Sequence, residues 1–319
     1  MAVYTPVSAD ELANFLAGYD LGALVSCKGI AEGVENSNYL VETTGGRFIL
    51  TLYEKRVAAD DLPWFLALIG HLAAKGLPVP GPVLDRQGRA LQTLNGRPAC
   101  LIHFAPGVSV TEASPDTCHA VGAALGAMHQ AVADFGQVRA NSLGPTSWPV
   151  LAARCTGRLA EIDQALPALV TAGLAAAADW PTGLPIATIH ADLFPDNVLL
   201  LDGRVTGLID FYFACTDVRA YDYAVTHAAW CFSADGRHHH ADRASALFTG
   251  YTSALALSAA EIAALPVLGQ GAALRFTLTR AYDWLNTPQG AMVTRKDPMA
   301  FARRLAWYAA ATSKAMTGG

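Results

Sequence analysis

The chain has 319 residues, 52% of them hydrophobic, and it carries 22 Lys and Arg against 27 Asp and Glu. This length and apolar content allow one large domain or two lobes. The formal net charge of −5 argues against the broad basic surface that nucleic acid or an anionic membrane requires, so we expect neither partner and a small-molecule substrate instead.

The N-terminal third predicts a small antiparallel sheet with helices beside it. Ser8 and Glu11 form a capping-box pattern at the start of an opening helix. The β-rich runs that follow are separated by Gly45-Gly46 and Asn95-Gly96, which are typical of hairpin turns. Between them, residues 60–76 have the apolar period of a helix.

The rest of the chain predicts long helices, interrupted by one β-hairpin that turns at Asp202-Gly203. The predicted helices are Pro115–Ala133, Leu151–Ala178, Tyr221–Cys231, Asp242–Ala256, Ala259–Leu285 and Pro298–Lys314. A small antiparallel sheet followed by a mainly helical region indicates an α+β fold with two lobes, which we place at residues 1–104 and 105–319.

The cysteine pattern and the N-terminus favour a cytoplasmic location. Six cysteines are scattered without a CxxC pair or metal-like spacing, which is typical of buried thiols in a reducing compartment. The first residues lack the basic and apolar regions of a signal peptide.

One polar hairpin carries the strongest functional signal. His190, Asp192 and Asn197 fit the pattern H-x-D-x-x-x-x-N, and Asp210 follows beyond the next strand. Phosphoryl transfer needs a carboxylate that accepts the proton of an attacking hydroxyl, together with oxygen ligands for Mg²⁺. We therefore predict Asp192 as the catalytic base and Asn197 and Asp210 as metal ligands. The alternative is that these side chains only cap a turn and end a strand.

The segments "IHADLFPDNVLL" and "GLIDFYFA" resemble the aminoglycoside phosphotransferase-like kinases, which have the protein-kinase-like fold and phosphorylate small hydroxyl compounds with ATP. Together with "ENSNYLVET", "RFILTLYEK" and "VTRKDP", they resemble the bacterial homoserine kinases of that family. Phe194 stands where much of the family has a second histidine. The resemblance implies ATP, Mg²⁺ and phosphorylation of L-homoserine to O-phospho-L-homoserine, a step in threonine biosynthesis.

The same resemblance makes residues 1–104 the nucleotide-binding lobe. Gly29 and Gly33 would let a loop cover the phosphates with its backbone N–H groups. Thr51 occupies the position at which kinases usually have a lysine that grips the phosphates. Lys55 could replace that lysine, although a solvated lysine at a strand end is the simpler interpretation.

Adenine is expected beside the connector between the lobes. There the backbone of His103, Phe104 and Ala105 could contact the edge of the base. Because the backbone makes such contacts, the side chains of the connector are uninformative.

The acceptor site is predicted in the helical lobe. Fewer than fifteen residues separate Asp210 from Asp222, too few for a peptide-docking platform, so the acceptor is expected to be small. Asp222 is expected to brace the catalytic loop. Arg275 is the candidate for the carboxylate of homoserine and Asp217 for its ammonium group, although surface salt bridges would explain either residue equally well.

Two alternatives remain open at this level. A kinase could act on another acceptor: an aminoglycoside, a choline-like amine, methylthioribose or a protein Ser/Thr side chain. A non-catalytic pseudokinase is suggested by Thr51 in place of the lysine. The oligomeric state, monomer or homodimer, is also open.

Overall fold

The computed structural model describes residues 4–30, 36–54, 58–287 and 295–318. The chain divides into two compact units, one of Met1–Gly107 with Thr206–Tyr212 and the other of Val108–Val205 with Phe213–Gly319. The division follows Gly107, where the sequence had suggested residue 104, and it adds a short segment to the first unit.

Hydrogen bonds explain why Thr206–Tyr212 belongs to the first unit. The Thr206 hydroxyl donates to the carbonyl of Pro106, and the N–H of Leu208 donates to the carbonyl of Pro78 over 2.7 Å. The Tyr212 hydroxyl donates to that of Tyr53 over 3.3 Å. Such long-range contacts leave no mark in the local sequence.

The first unit is a five-stranded antiparallel sheet with order β1-β2-β3-β5-β4, accompanied by two helices in the residues that the structure describes. Its elements are α1 (Ala9–Leu16), β1 (Leu24–Gly29), β2 (Asn36–Thr43), β3 (Gly46–Tyr53), α2 (Leu62–Ala74), β4 (Gln92–Leu94) and β5 (Arg97–His103). Leu12 and Leu16 of α1 pack with Val41, Leu50 and Leu101 of the sheet in a buried core.

The local signals in this unit are confirmed, with one shift. Ser8 and Glu11 form a reciprocal capping box at the start of α1. Asn95 and Gly96 have φ of 50° and 72°, as a two-residue turn of the primed type requires. The hairpin between β2 and β3 turns at 44–45 instead of Gly45-Gly46, because Thr43 pairs with Gly46.

The second unit is mainly helical. Its elements are α3 (Pro115–Ala131), α4 (Trp148–Ala153), α5 (Leu166–Ala176), β6 (Ile186–Ile189), β7 (Val198–Leu201), the start of β8 (Arg204–Leu208), β9 (Cys215–Val218), α6 (Arg219–Trp230), α7 (Ala241–Ala254), α8 (Ala259–Asn286), α9 (Met299–Ala310) and α10 (Ser313–Thr317). β6 pairs with β9, and β7 with β8. The α+β fold class is thus confirmed.

Two predicted helices were wrong in extent. The predicted helix over 151–178 is divided into α4 and α5, and the connection contains Gly157 with a left-handed φ of 80°. The predicted helix over 298–314 ends at Ala310, because Ala311 is extended and the Thr312 side chain caps α10 instead. The first break contains Gly157 and several polar residues, a turn signal that the helix prediction passed over.

α8 is the long central helix of the second unit. By length and composition it could cross a membrane, but 61% of its most apolar window is buried inside the protein. Gly271 on α8 is so closely packed that a side chain there would collide with Trp148 and Trp180. This tight burial is that of a core helix.

All six cysteines are free thiols, and all lie in the described part of the chain. Five are buried, and Cys27 on β1 is half-buried. Burial raises the pKa of the Cys100 and Cys215 thiols to about 12, so neither is a thiolate at neutral pH.

Candidate active site

The segment from His190 to Asn197 follows β6 and is held by a carboxylate of α6. The backbone N–H of His190 donates to Oδ2 of Asp222, and that of Ala191 donates to Oδ1, each over 2.7 Å. Two adjacent N–H groups thus share one carboxylate. The bracing role predicted for Asp222 is confirmed by these contacts.

Asp222 is fully buried, but its carboxylate oxygens accept hydrogen bonds from protein donors. Nε2 of His129 lies 3.0 Å from its Oδ2, and Nδ1 of His129 lies 2.8 Å from the Tyr251 hydroxyl. Burial alone would raise the pKa of Asp222, but the hydrogen bond and charge of His129 and the contacts of His190 hold that pKa below its usual value. Asp222 is therefore an anion that anchors the loop.

Ala191 has a left-handed φ of 62°, a conformation that costs free energy for a residue with a side chain. Its carbonyl accepts a hydrogen bond from the guanidinium of Arg275. The Leu193 carbonyl accepts another from Nε1 of Trp230 over 2.8 Å. The strained loop is thus fixed from α6 and α8 through both its donors and its acceptors.

Arg275 is 2% exposed, and its guanidinium lies over the rings of Phe213 and Phe276, 5.3 and 4.5 Å from their centroids. These contacts indicate that Arg275 positions the loop. The contact with the substrate carboxylate that the sequence suggested for Arg275 stays a prediction. The other predicted acceptor residue, Asp217, lies on β9, where its Oδ2 accepts from Nδ2 of Asn141 over 2.6 Å. Its contact with an ammonium group also stays a prediction.

Asp192 and Asn197 are brought together by the loop. Nδ2 of Asn197 donates to the carbonyl oxygen of Asp192 over 2.8 Å and to its Oδ2 over 3.2 Å. These bonds fix the Asn197 amide with its nitrogen towards Asp192. The side-chain oxygen of Asn197 is then the atom that could serve as a metal ligand.

Asp210 belongs to the first unit and stands after β8, exposed, with a left-handed φ of 63°. Its predicted role as a metal ligand stays a prediction. Carboxylate and amide oxygens are the hard donors that Mg²⁺ prefers, so the donor chemistry of Asn197 and Asp210 fits that ion. Among the described residues, no cluster of three or more His, Cys, Asp or Glu side chains could hold a metal.

The predicted nucleotide-binding residues lie in the first unit. Gly29 ends β1 opposite Tyr39. Thr51 is 3% exposed in β3, and its hydroxyl donates to Oδ1 of Asn38 over 2.8 Å. Gly33 and Lys55 lie outside the described residues.

The predicted adenine-binding segment follows β5. The N–H of His103 donates to the Gly81 carbonyl over 3.0 Å, and that of Phe104 donates to the Arg47 carbonyl over 3.3 Å. A base edge would therefore meet carbonyl oxygens here, or the backbone of Ala105. This contact also stays a prediction.

Sequence reasoning missed Arg280, which lies one helical turn and a half beyond Arg275 on α8. Of the carboxylates that interact favourably with the Arg280 charge, Asp192 has the largest effect. A second arginine within the apolar helix that contains Arg275 was the available signal, because buried arginines need a partner.

Comparison with known proteins agrees with this geometry. Residues 26–257 match the model of the phosphotransferase enzyme family. The chain is 54% identical to homoserine kinase of Gluconacetobacter diazotrophicus and 53% identical to homoserine kinase of Granulibacter bethesdensis, each over 100% of both chains.

Solved structures show the same fold at low sequence identity. An amicoumacin kinase in complex with AMP-PNP and Ca²⁺ aligns with a TM-score of 0.71 at 16% identity, covering 96% of this chain and 95% of that one. A microcompartment-associated aminopropanol kinase aligns with a TM-score of 0.62 at 18% identity, covering 94% and 95%. By its family match and its full-length relatives, the chain belongs to the phosphotransferase enzyme family.

Proposed function

We propose that the protein transfers the γ-phosphoryl group of ATP to the hydroxyl of L-homoserine, which gives O-phospho-L-homoserine for threonine biosynthesis. The full-length similarity to homoserine kinases supports the acceptor. The observation that carries the chemistry is the Asp192–Asn197 pair, held on a loop that Asp222 anchors.

Asp192 is proposed as the general base. Its carboxylate accepts the proton of the acceptor hydroxyl while the oxygen forms its bond to phosphorus and ADP leaves. Such a reaction depends mainly on the placement of the groups. The amide of Asn197 donates to Oδ2 of Asp192, so it orients the carboxylate that receives the proton.

Asn197 and Asp210 are proposed to hold Mg²⁺, which when bound neutralises charge on the phosphates. The Asn197 amide is already oriented by its two bonds to Asp192. Asp222 holds the backbone of His190 and Ala191, at the start of the segment that carries Asn197.

The nucleotide is proposed to bind the first unit. Gly29 and Gly33 would cover the phosphates, and the backbone of His103–Ala105 would contact adenine. Thr51 is uncharged and its hydroxyl donates to Asn38, so this position supplies no positive charge for the phosphates. Asp217 is proposed to meet the ammonium group of the acceptor. A cytoplasmic location and a monomeric or homodimeric state remain proposals.

The test measures ADP release with Mg²⁺ and ATP against L-homoserine, L-serine, choline, methylthioribose, kanamycin and a protein substrate. We expect turnover with L-homoserine well above that with every other acceptor, and loss of it in Asp192→Asn. Faster turnover of another acceptor would replace the proposed substrate. ATP binding without turnover of any acceptor would favour a pseudokinase.

A further inference from the structure

Two arginines from neighbouring helices of the second unit each lie against the same aromatic ring. The guanidinium carbon of Arg280 on α8 lies 4.4 Å from the centroid of Phe301, and that of Arg304 on α9 lies 4.3 Å from it. Two like charges against one ring repel each other: burial lowers the pKa of Arg304, and the charge of Arg280 lowers it further. The pair needs a compensating anion.

The described protein groups that bond to the two arginines are not anions. Nη2 of Arg304 donates to the Ser233 carbonyl over 2.9 Å, and Nη1 of Arg280 donates to the Asp297 carbonyl over 3.3 Å. Both acceptors are neutral backbone oxygens. Within the described residues, no ion pair joins a carboxylate to either arginine at 4.0 Å or less.

Two other arginines of the second unit each lie beside a carboxylate. Arg219 pairs with the buried Glu261 through two bonds of 2.6 and 2.8 Å. Arg303, next to Arg304, lies 3.7 Å from the carboxylate of Asp297. Among the described residues Arg275 has no carboxylate partner either, but it stands alone and donates to a carbonyl of the catalytic loop. Two guanidinium groups against one ring, with no carboxylate in an ion pair with either, therefore call for another explanation.

Arg304 has unused donor capacity. It is 4% exposed, and its Nε is buried without a hydrogen-bond partner. A buried donor left unsatisfied costs about 1–3 kcal/mol, more when it is charged. Desolvation lowers the pKa of Arg280 and of Arg304 to about 10, so both remain cations at neutral pH.

The pair lies beside the catalytic loop. Phe194 of that loop packs against Phe301 and Phe276, with ring centroids 5.8 and 4.8 Å apart. The carboxylate of Asp192 exerts the largest favourable interaction on the charge of Arg280. An acceptor whose hydroxyl reached Asp192 could therefore present a second, anionic group to the arginines.

We propose that Arg280 and Arg304 form a carboxylate-binding subsite that holds the carboxylate of the amino-acid acceptor while its hydroxyl faces Asp192. The inference rests on the proposed function and assigns to this pair the contact that sequence reasoning gave to Arg275. Guanidinium groups bind carboxylates with paired, charge-assisted hydrogen bonds. The same two charges repel a polycationic acceptor such as an aminoglycoside, so the subsite also selects against it.

The experiment compares L-homoserine with L-homoserine amide, which keeps the hydroxyl and the ammonium group but has no carboxylate. We expect the wild-type protein to favour L-homoserine by about 10–100-fold in kcat/KM. This factor corresponds to the free energy that hydrogen bonds to a charged group contribute. Arg280→Met and Arg304→Met should each lower kcat/KM for L-homoserine by a similar factor and leave that for the amide within about twofold. The preference should then largely disappear.

Arg303→Met is the matched control, because it removes a neighbouring positive charge that already has a partner in Asp297. It should keep the preference. An equal loss on both acceptors in the Arg280 and Arg304 variants would indicate a structural role and overturn the proposal. An unchanged preference in both variants would also overturn it.

A measurement on the wild-type protein covers the case in which the variants do not fold. L-α-Aminobutyrate keeps the carboxylate but has hydrogen in place of the hydroxyl, and n-propylamine lacks both groups. Calorimetric binding of the first at least tenfold tighter than the second is expected; equal affinities would refute the subsite. Absence of wild-type turnover with L-homoserine would instead refute the proposed function itself.

Discussion

The anchoring carboxylate of Asp222 allows a quantitative prediction. In Asp222→Asn, one amide oxygen replaces two carboxylate oxygens that accept from His190 and Ala191. If the amide oxygen keeps the His190 and His129 contacts, its NH₂ group faces the N–H of Ala191. One charge-assisted hydrogen bond is lost, a buried N–H is left unsatisfied, and the remaining bonds become neutral ones.

Together these losses should lower the free energy of unfolding by about 3–5 kcal/mol. Because the loop carries Asp192, a displacement on the order of 1 Å should lower kcat by about 10²-fold. Urea unfolding followed by circular dichroism and steady-state kinetics measure the two effects. Asp163→Asn, which keeps an exposed contact with the N–H of Ala165, is the control and should stay within about 0.5 kcal/mol.

Two results would refute this reasoning. One is a stable Asp222→Asn protein with normal kcat, because the loop would then hold its position without the carboxylate. The other is an equal loss of stability in the control. If Asp222→Asn does not fold, Trp230→Phe removes the bond to the Leu193 carbonyl and part of a buried ring, and it should reduce stability by about 1–3 kcal/mol.

Three further outcomes are expected. Asp192→Ala should lower kcat by about 10²–10⁴-fold with little change in ATP affinity, because a general base acts in the transition state; near-normal turnover in single-turnover assays would contradict the assignment. Asp210→Ala should weaken binding of Mg²⁺-ATP, and an unchanged calorimetric titration would count against it as a ligand. His227 is buried and burial holds its pKa well below the usual value, so the unfolded chain takes up the proton first. Stability should fall as pH decreases below about 6.5, by up to about 1.4 kcal/mol per pH unit, and this slope should shrink in His227→Asn.

The sequence predicted features that depend on neighbouring residues or on fixed spacing. The capping box at Ser8 and the turns at Asn95-Gly96 and Asp202-Gly203 involve residues close in the chain. The Asp192–Asn197 contact is also local. A motif of this kind has a fixed spacing in the chain, so it can be recognised without the fold.

Features that depend on how helices pack could not be predicted in the same way. The carboxylate role was assigned to Arg275 because an arginine in an apolar helix needs an anion. The structure gives Arg275 a backbone carbonyl of the catalytic loop, whereas Arg280 and Arg304 lie against the same ring only because α8 and α9 pack together. Residues far apart in the chain carry no shared signal in one sequence.

The distribution of thiols makes the protein a convenient target for site-specific labelling. Five cysteines are buried, and only Cys27 on β1 is half-buried, two residues before Gly29. Burial also raises the pKa of Cys27, so a maleimide dye should react slowly at neutral pH and faster as pH rises. If ATP binds beside Gly29 as proposed, a fluorophore attached there would report that binding, without any cysteine having to be removed.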